Sequence, residues 1–106
     1  MRKTKLATAK YLAKAHSKAD PSLKQVYLLE PINEQDPTDP IKLLEVVKGT
    51  PERGVEPVGF AADPARGIEY PVWIVELSPK EYRGIQNRTL RFNDVVWTVG
   101  TELLAL

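Results

Sequence analysis

Residues 95–104 read Val-Val-Trp-Thr-Val-Gly-Thr-Glu-Leu-Leu (VVWTVGTELL), with Val95, Trp97, Val99 and Leu103 alternating onto one face. Period-two alternation in a run rich in β-branched and aromatic residues predicts a strand. At ten residues it is longer than the usual five or six, and it runs into an apolar end, Leu103-Leu104-Ala105-Leu106. A strand of that length needs cover from the protein's own layers or from a partner, because long exposed edges invite pairing. Burial as a central strand is the simpler reading, and a dimer stays open.

Upstream, Leu90–Phe92, Asn93-Asp94 and Val95–Trp97 have the spacing of a hairpin with a two-residue turn. Before it, Ser78-Pro79-Lys80-Glu81 marks a helix start. Ser78 is placed as N-cap, Pro79 at the first helical position, and Glu81 as the closing member of a capping box. Leu77 and Tyr82 are spaced as a hydrophobic staple, and the helix is predicted over 79–87. Tyr70–Leu77 (YPVWIVEL), Ile41–Lys48 (IKLLEVVK) and Gln25–Glu30 (QVYLLE) read as further strands. Residues 56–62 are weaker, with Pro57 inside, which suits an edge.

All nine prolines lie between 21 and 79, and four follow aspartate at 20, 36, 39 and 63, which punctuates the chain with turns. Short strands with two helices and no regular alternation predict a single α+β domain. The expected sheet is mainly antiparallel, with four or five strands near 25–30, 41–48, 56–62, 70–77 and 95–104, covered by helices on one face. The expected core includes Leu28, Leu44, Val46, Val72, Ile74, Trp73 or Val75, Trp97 and Val99. Residues 41–48 and 70–77 are apolar on both faces, so the pattern alone leaves their inward face open.

Residues 4–19 predict an N-terminal helix rich in Ala, Leu and Lys, ended by Asp20-Pro21. Leu6, Ala9, Leu12, Ala13, His16 and Ala19 fall on one side, and Lys3, Lys10, Lys14 and Lys18 on the other. The first 19 residues also share the basic, Ala- and Ser-rich composition of transit peptides, yet the helical periodicity favours a surface helix of the domain.

Charge divides the chain by position. Residues 1–24 carry seven Lys/Arg against Asp20, a net of +6, while residues 25–106 carry eight bases and thirteen acids, a net of −5. A basic arm of helix and turn thus precedes an acidic, sheet-containing body. Such asymmetry points to an electrostatic contact, with another molecule or between the two parts.

The inventory argues against most chemistry. There is no cysteine, which removes disulfides and thiolate sites and fits a reducing, cytoplasmic setting. His16 is the sole histidine, and no partner is spaced in sequence to orient it. It is read as a half-buried helix residue near the C-terminal dipole. The oxygen-rich loop Asn33–Asp39 lacks the glycine and terminal Glu of a calcium loop and reads as solvated and acidic. Gly49 and Gly54 are spaced as in a phosphate loop but no Lys-Ser/Thr follows, so this is a turn. Glu69, Glu76 and Glu81 define no acid–base pair. Arg83, Arg88 and Arg91 form a smaller basic group, with Arg88 placed at the last turn of the second helix. The sequon Asn87-Arg88-Thr89 reads as chance. No run approaches the roughly 20 apolar residues of a membrane span.

Three functions stay in view. The first is a small non-enzymatic protein-interaction domain, self-association included, using Lys3, Lys10, Lys14 and Lys18 on an acidic protein surface. The second is nucleic-acid binding through the same helix, disfavoured by the acidic body and a pI near 7.9. The third is a ligand-binding or enzymatic cleft between sheet and helix, lined by Trp73, Trp97 and Tyr82. No cofactor and no metal is expected.

Overall fold

A computed structural model describes residues 4–49, 56–63, 68–92 and 95–105. The chain runs α1 (Thr4–Ala19), β1 (Leu23–Glu30), β2 (Ile41–Val47), β3 (Glu56–Asp63), β4 (Ile68–Leu77), α2 (Pro79–Arg83), β5 (Thr89–Phe92) and β6 (Val95–Ala105). The strands form one sheet in the order β3-β4-β2-β1-β6-β5. Four of its five pairings are antiparallel and β2–β4 is parallel. The parallel pair arises because the chain goes out to edge strand β3 before returning as β4. The α+β class and the mainly antiparallel sheet expected from the sequence are what the chain adopts.

Two details differ from expectation. The sheet has six strands rather than four or five, because residues 89–92 are a strand in their own right, paired from Thr89↔Thr98 to Phe92↔Val95. The intervening Asn93-Asp94 lies outside the described residues, as do the turn after Asp63 and residues 50–54 of the glycine-spaced loop. The helices also lie on opposite faces, not on one. On the α1 side, Val26, Leu28, Ile41, Leu43, Val47, Tyr70 and Val72 pack with Ala9 and Ala13. On the other, Tyr27, Leu29, Leu44, Val46, Val75, Leu77, Leu90, Trp97 and Val99 pack with Trp73, Tyr82 and Ile85.

Strand β2 explains why. All seven of its residues are buried, so both faces of the sheet centre need a layer. Alternate residues serve each layer: 41, 43 and 47 face α1, while 44 and 46 face α2. The undecided inward face of 41–48 and 70–77 is therefore both faces. Seven of the expected core residues (Leu28, Leu44, Val46, Val72, Val75, Trp97 and Val99) are buried. Ile74 and Trp73 are partly buried against the α1-side and opposite clusters respectively.

Helix α2 stops at Arg83, short of the expected 87. The capping box forms as predicted, with the Glu81 N–H donating to Ser78 Oγ and the Ser78 N–H donating to Glu81 Oε1, both at 3.1 Å. Gly84 caps the far end. Beyond it Asn87 and Arg88 take φ of 55° and 53°, a left-handed pair that no helix continues and that turns the chain into β5. Tyr82 then stacks on Tyr27 at 5.0 Å, fixing the short helix to the sheet.

Candidate functional site

The alanines of α1 explain how closely it sits. Ala9 and Ala13 are fully buried, which lets the backbone approach the sheet and brings its polar residues within reach of strands and loops.

Lys5 is fully buried. Its ammonium donates to the carbonyl oxygens of Asn33, Asp36 and Asp39, the last at 2.7 Å. It lies 3.5 Å from the Asp39 carboxylate and 5.7 Å from the centre of the Tyr70 ring. The Glu34 carboxylate meanwhile accepts from the backbone N–H groups of Lys5 (2.8 Å) and Leu6 (3.1 Å), satisfying orphan donors at the helix N-terminus. The loop 33–39 is thus neither a calcium site nor a freely solvated acidic loop. It is an oxygen cage whose cation is a lysine of the same chain. At 100° per residue Lys5 stands in the middle of the stripe Ala9, Leu12, Ala13 and His16, a lysine on the apolar face, and that position was its signal in the sequence.

His16 also has a partner, contrary to the local-spacing argument. Its Nδ1 lies 2.8 Å from Glu45 Oε2, and Glu45 is buried in β2, 29 positions away in sequence. The hydrogen bond to Glu45 raises the His16 pKa above its ordinary value, against the opposing effect of burial. The pair ties α1 to β2.

Part of the charge asymmetry is therefore satisfied internally, through Lys5–Asp39, Glu34 at the helix terminus and His16–Glu45. What remains outside is the flank of α1. Lys10, Lys14 and Lys18 are exposed, and among the described residues none has an ion-pair partner. Lys3 lies outside the described residues. Spaced four apart, the three lysines repel one another mildly.

Lys10 and Lys14 line an open groove of about 360 Å³ with Tyr11, Leu103 and Leu104. Lys18, nearer the helix end, is not part of its wall. Tyr11 is 67% exposed, the most exposed large hydrophobic residue described. The far wall comes from irregular pairing of β6. Val26 opposes Leu104 while Tyr27 opposes Glu102, a bulge at Leu103 that turns both leucines toward the α1 side. A second bulge lies between Glu102 and Val99. There a Cβ on Gly100 would fall 2.6 Å from Glu30 Oε1, so a larger residue would have to displace the Glu30 side chain.

The aromatic cleft expected around Trp73, Trp97 and Tyr82 is mostly filled. Trp73 and Trp97 meet edge to face at 6.5 Å, and Lys42 Nζ lies 6.0 Å from the Trp97 ring while donating to the Pro31 carbonyl. A shallow pocket of about 130 Å³ is left, between Tyr82, Ile85, Arg88 and Val99. Arg88 does not serve the helix dipole. Its guanidinium donates to the carbonyls of Val99 and Gly100, both at 3.0 Å. Burial, with hydrogen bonds to Tyr82 and Glu102, pushes the Tyr27 hydroxyl pKa well up. No cluster of three metal-ligating residues occurs among the described residues, and no helix described is long and apolar enough to cross a membrane. The chain matches no protein-family model, no curated protein and no solved structure.

Proposed function

We propose that the protein is a small interaction domain working in the cytoplasm, which docks an acidic surface of a protein partner on the groove between α1 and β6. The observation that carries this reading is the composition of the groove: two exposed ammonium groups, an exposed tyrosine and two half-buried leucines, with no acid among its described lining residues. Aromatic and aliphatic area ringed by charge of one sign is the make-up of a specific interface. Retaining a repulsive lysine stripe beside it is consistent with a partner that supplies the opposite charge.

Size-exclusion chromatography with light scattering at low and high salt tests self-association, which the reading admits for the −5 body of a second copy. Binding of duplex DNA and of RNA at low salt, for the native chain and for Lys10→Ala/Lys14→Ala/Lys18→Ala, tests the alternative. Phosphate contacts by these three lysines would give a log–log salt slope of about −2.7 on duplex. Micromolar binding of the native chain that the triple variant loses would replace the protein-docking reading with a nucleic-acid one.

A further inference from the structure

The groove has an open backbone edge beside it. Strand β5 covers β6 only from Val95 to Thr98. The Val99 N–H is taken by the Arg88 carbonyl at 2.8 Å, and the Arg88 guanidinium closes the carbonyls of Val99 and Gly100. The sheet order ends with β5 on this side, so Thr101–Ala105 have no strand neighbour on their outer edge among the described residues. Backbone N–H and C=O groups on such an edge are a template for one more strand. Residues 103 and 104 of this segment also form the groove wall that faces Lys10, Tyr11 and Lys14.

Taking the docking reading above as its premise, we infer that the partner presents an extended acidic segment, which adds to the sheet as a strand along Thr101–Ala105 of β6. Its carboxylates, presented on the α1 face of the sheet, meet Lys10 and Lys14 beside Tyr11, Leu103 and Leu104, while the alternate side chains turn to the opposite face. Arg88 sets one end of the site by occupying the carbonyls where β5 stops. Charge decides against a second copy as the occupant. Two β6 edges paired antiparallel about a two-fold axis place both α1 helices on the same face of the joined sheet. Lys10 and Lys14 of each copy would then confront their counterparts. An acidic strand relieves that repulsion, and a second β6 creates it.

The test uses the full chain and a short blocked peptide of alternating Glu and Val, with two further versions of it. One carries N-methyl groups on every Glu amide, the other on every Val amide. Successive amides of a strand point to opposite sides, so strand addition is blocked by one methylation set and tolerates the other. Alternation of Glu and Val fixes which face meets the lysines and prevents a one-residue slip. The expected result is that the parent peptide binds and that one methylated version loses about tenfold or more, the other binding like the parent. Amide exchange should slow within Thr101–Ala105, and Lys10→Glu/Lys14→Glu should weaken the parent by about tenfold. Lys10→Gln/Lys14→Gln gives the same direction should charge reversal disturb folding. If both methylated peptides bind like the parent while charge reversal abolishes binding, strand addition is wrong and the acidic docking surface stands. If charge reversal changes nothing, the cationic groove and the inference fall together. Displacement of the peptide by duplex DNA, or a dimer that persists without peptide binding, overturns the inference in favour of those partners.

Discussion

Lys5 and Lys10 sit on the same helix and have opposite fates. Lys5 is fully enclosed, with three carbonyls and a carboxylate about its ammonium. Lys10 is solvated on the wall of an open groove. The difference follows from angular position. Lys5 points at the sheet and is intercepted by the loop between β1 and β2. Lys10 is turned well over a quarter of a revolution away, at about 140° by the helical repeat. An exposed lysine is cheap to keep and available to a partner, whereas a buried one requires full satisfaction. The first turn of α1 is therefore a structural anchor, and its middle carries the proposed interaction surface.

Lys5→Met should break the anchor with the largest effect, about 3 kcal/mol by urea denaturation, since methionine keeps the aliphatic stem but leaves the oxygen cage without its cation. A variant unfolding at the native midpoint would show that the cage contributes nothing. Glu34→Ala removes the acceptor for two N-terminal amides and should cost about 1 kcal/mol. Amide exchange over the first turn of α1 should show where that loss falls.

The far end of the helix is pH-dependent. The His16 pKa is raised by the hydrogen bond to Glu45, so the folded state holds the proton more tightly than the unfolded one. That stabilisation is complete below the ordinary histidine value of 6.5 and is lost as pH rises through the raised folded value. Thermal melting of the native chain should fall across that window. Glu45→Gln should flatten the dependence, and an unchanged slope would assign it to another group. At the smallest end, Lys10→Ala/Lys14→Ala/Lys18→Ala should move stability by no more than about 0.5 kcal/mol while abolishing partner binding. A large loss of stability would make the stripe structural, like Lys5.

Several elements were legible in the sequence because their signals are local. The capping box at Ser78–Glu81, the strand over 95–104 and the helix ended by Asp20-Pro21 rest on neighbouring residues, and each element appears where expected. Only the alternation fails at its end, where bulges move Leu103 off the face of Trp97 and Val99 and onto the α1 side. The predicted end of α2 at 87 overran the structure: Gly84 closes the helix after Arg83, and the left-handed pair Asn87 and Arg88 then turns the chain toward β5, a path set by a strand further along. Of the candidate site, the lysine face was readable as helical geometry. The second wall was not, since it depends on a bulge at Leu103 set by pairing with β1.

The sequence by itself determined the α+β class, most element positions, the basic flank of α1 and the absence of thiol chemistry. These follow from periodicity, capping and inventory, all properties of short stretches. Only the tertiary structure decided that both faces of the sheet are covered, that His16 meets Glu45, and that the acidic loop closes on Lys5. It alone also left the outer edge of Thr101–Ala105 without a strand neighbour among the described residues, beside Lys10 and Lys14. Contacts between residues some 30 or 90 positions apart depend on strand order and bulges, and nothing in a local window encodes them.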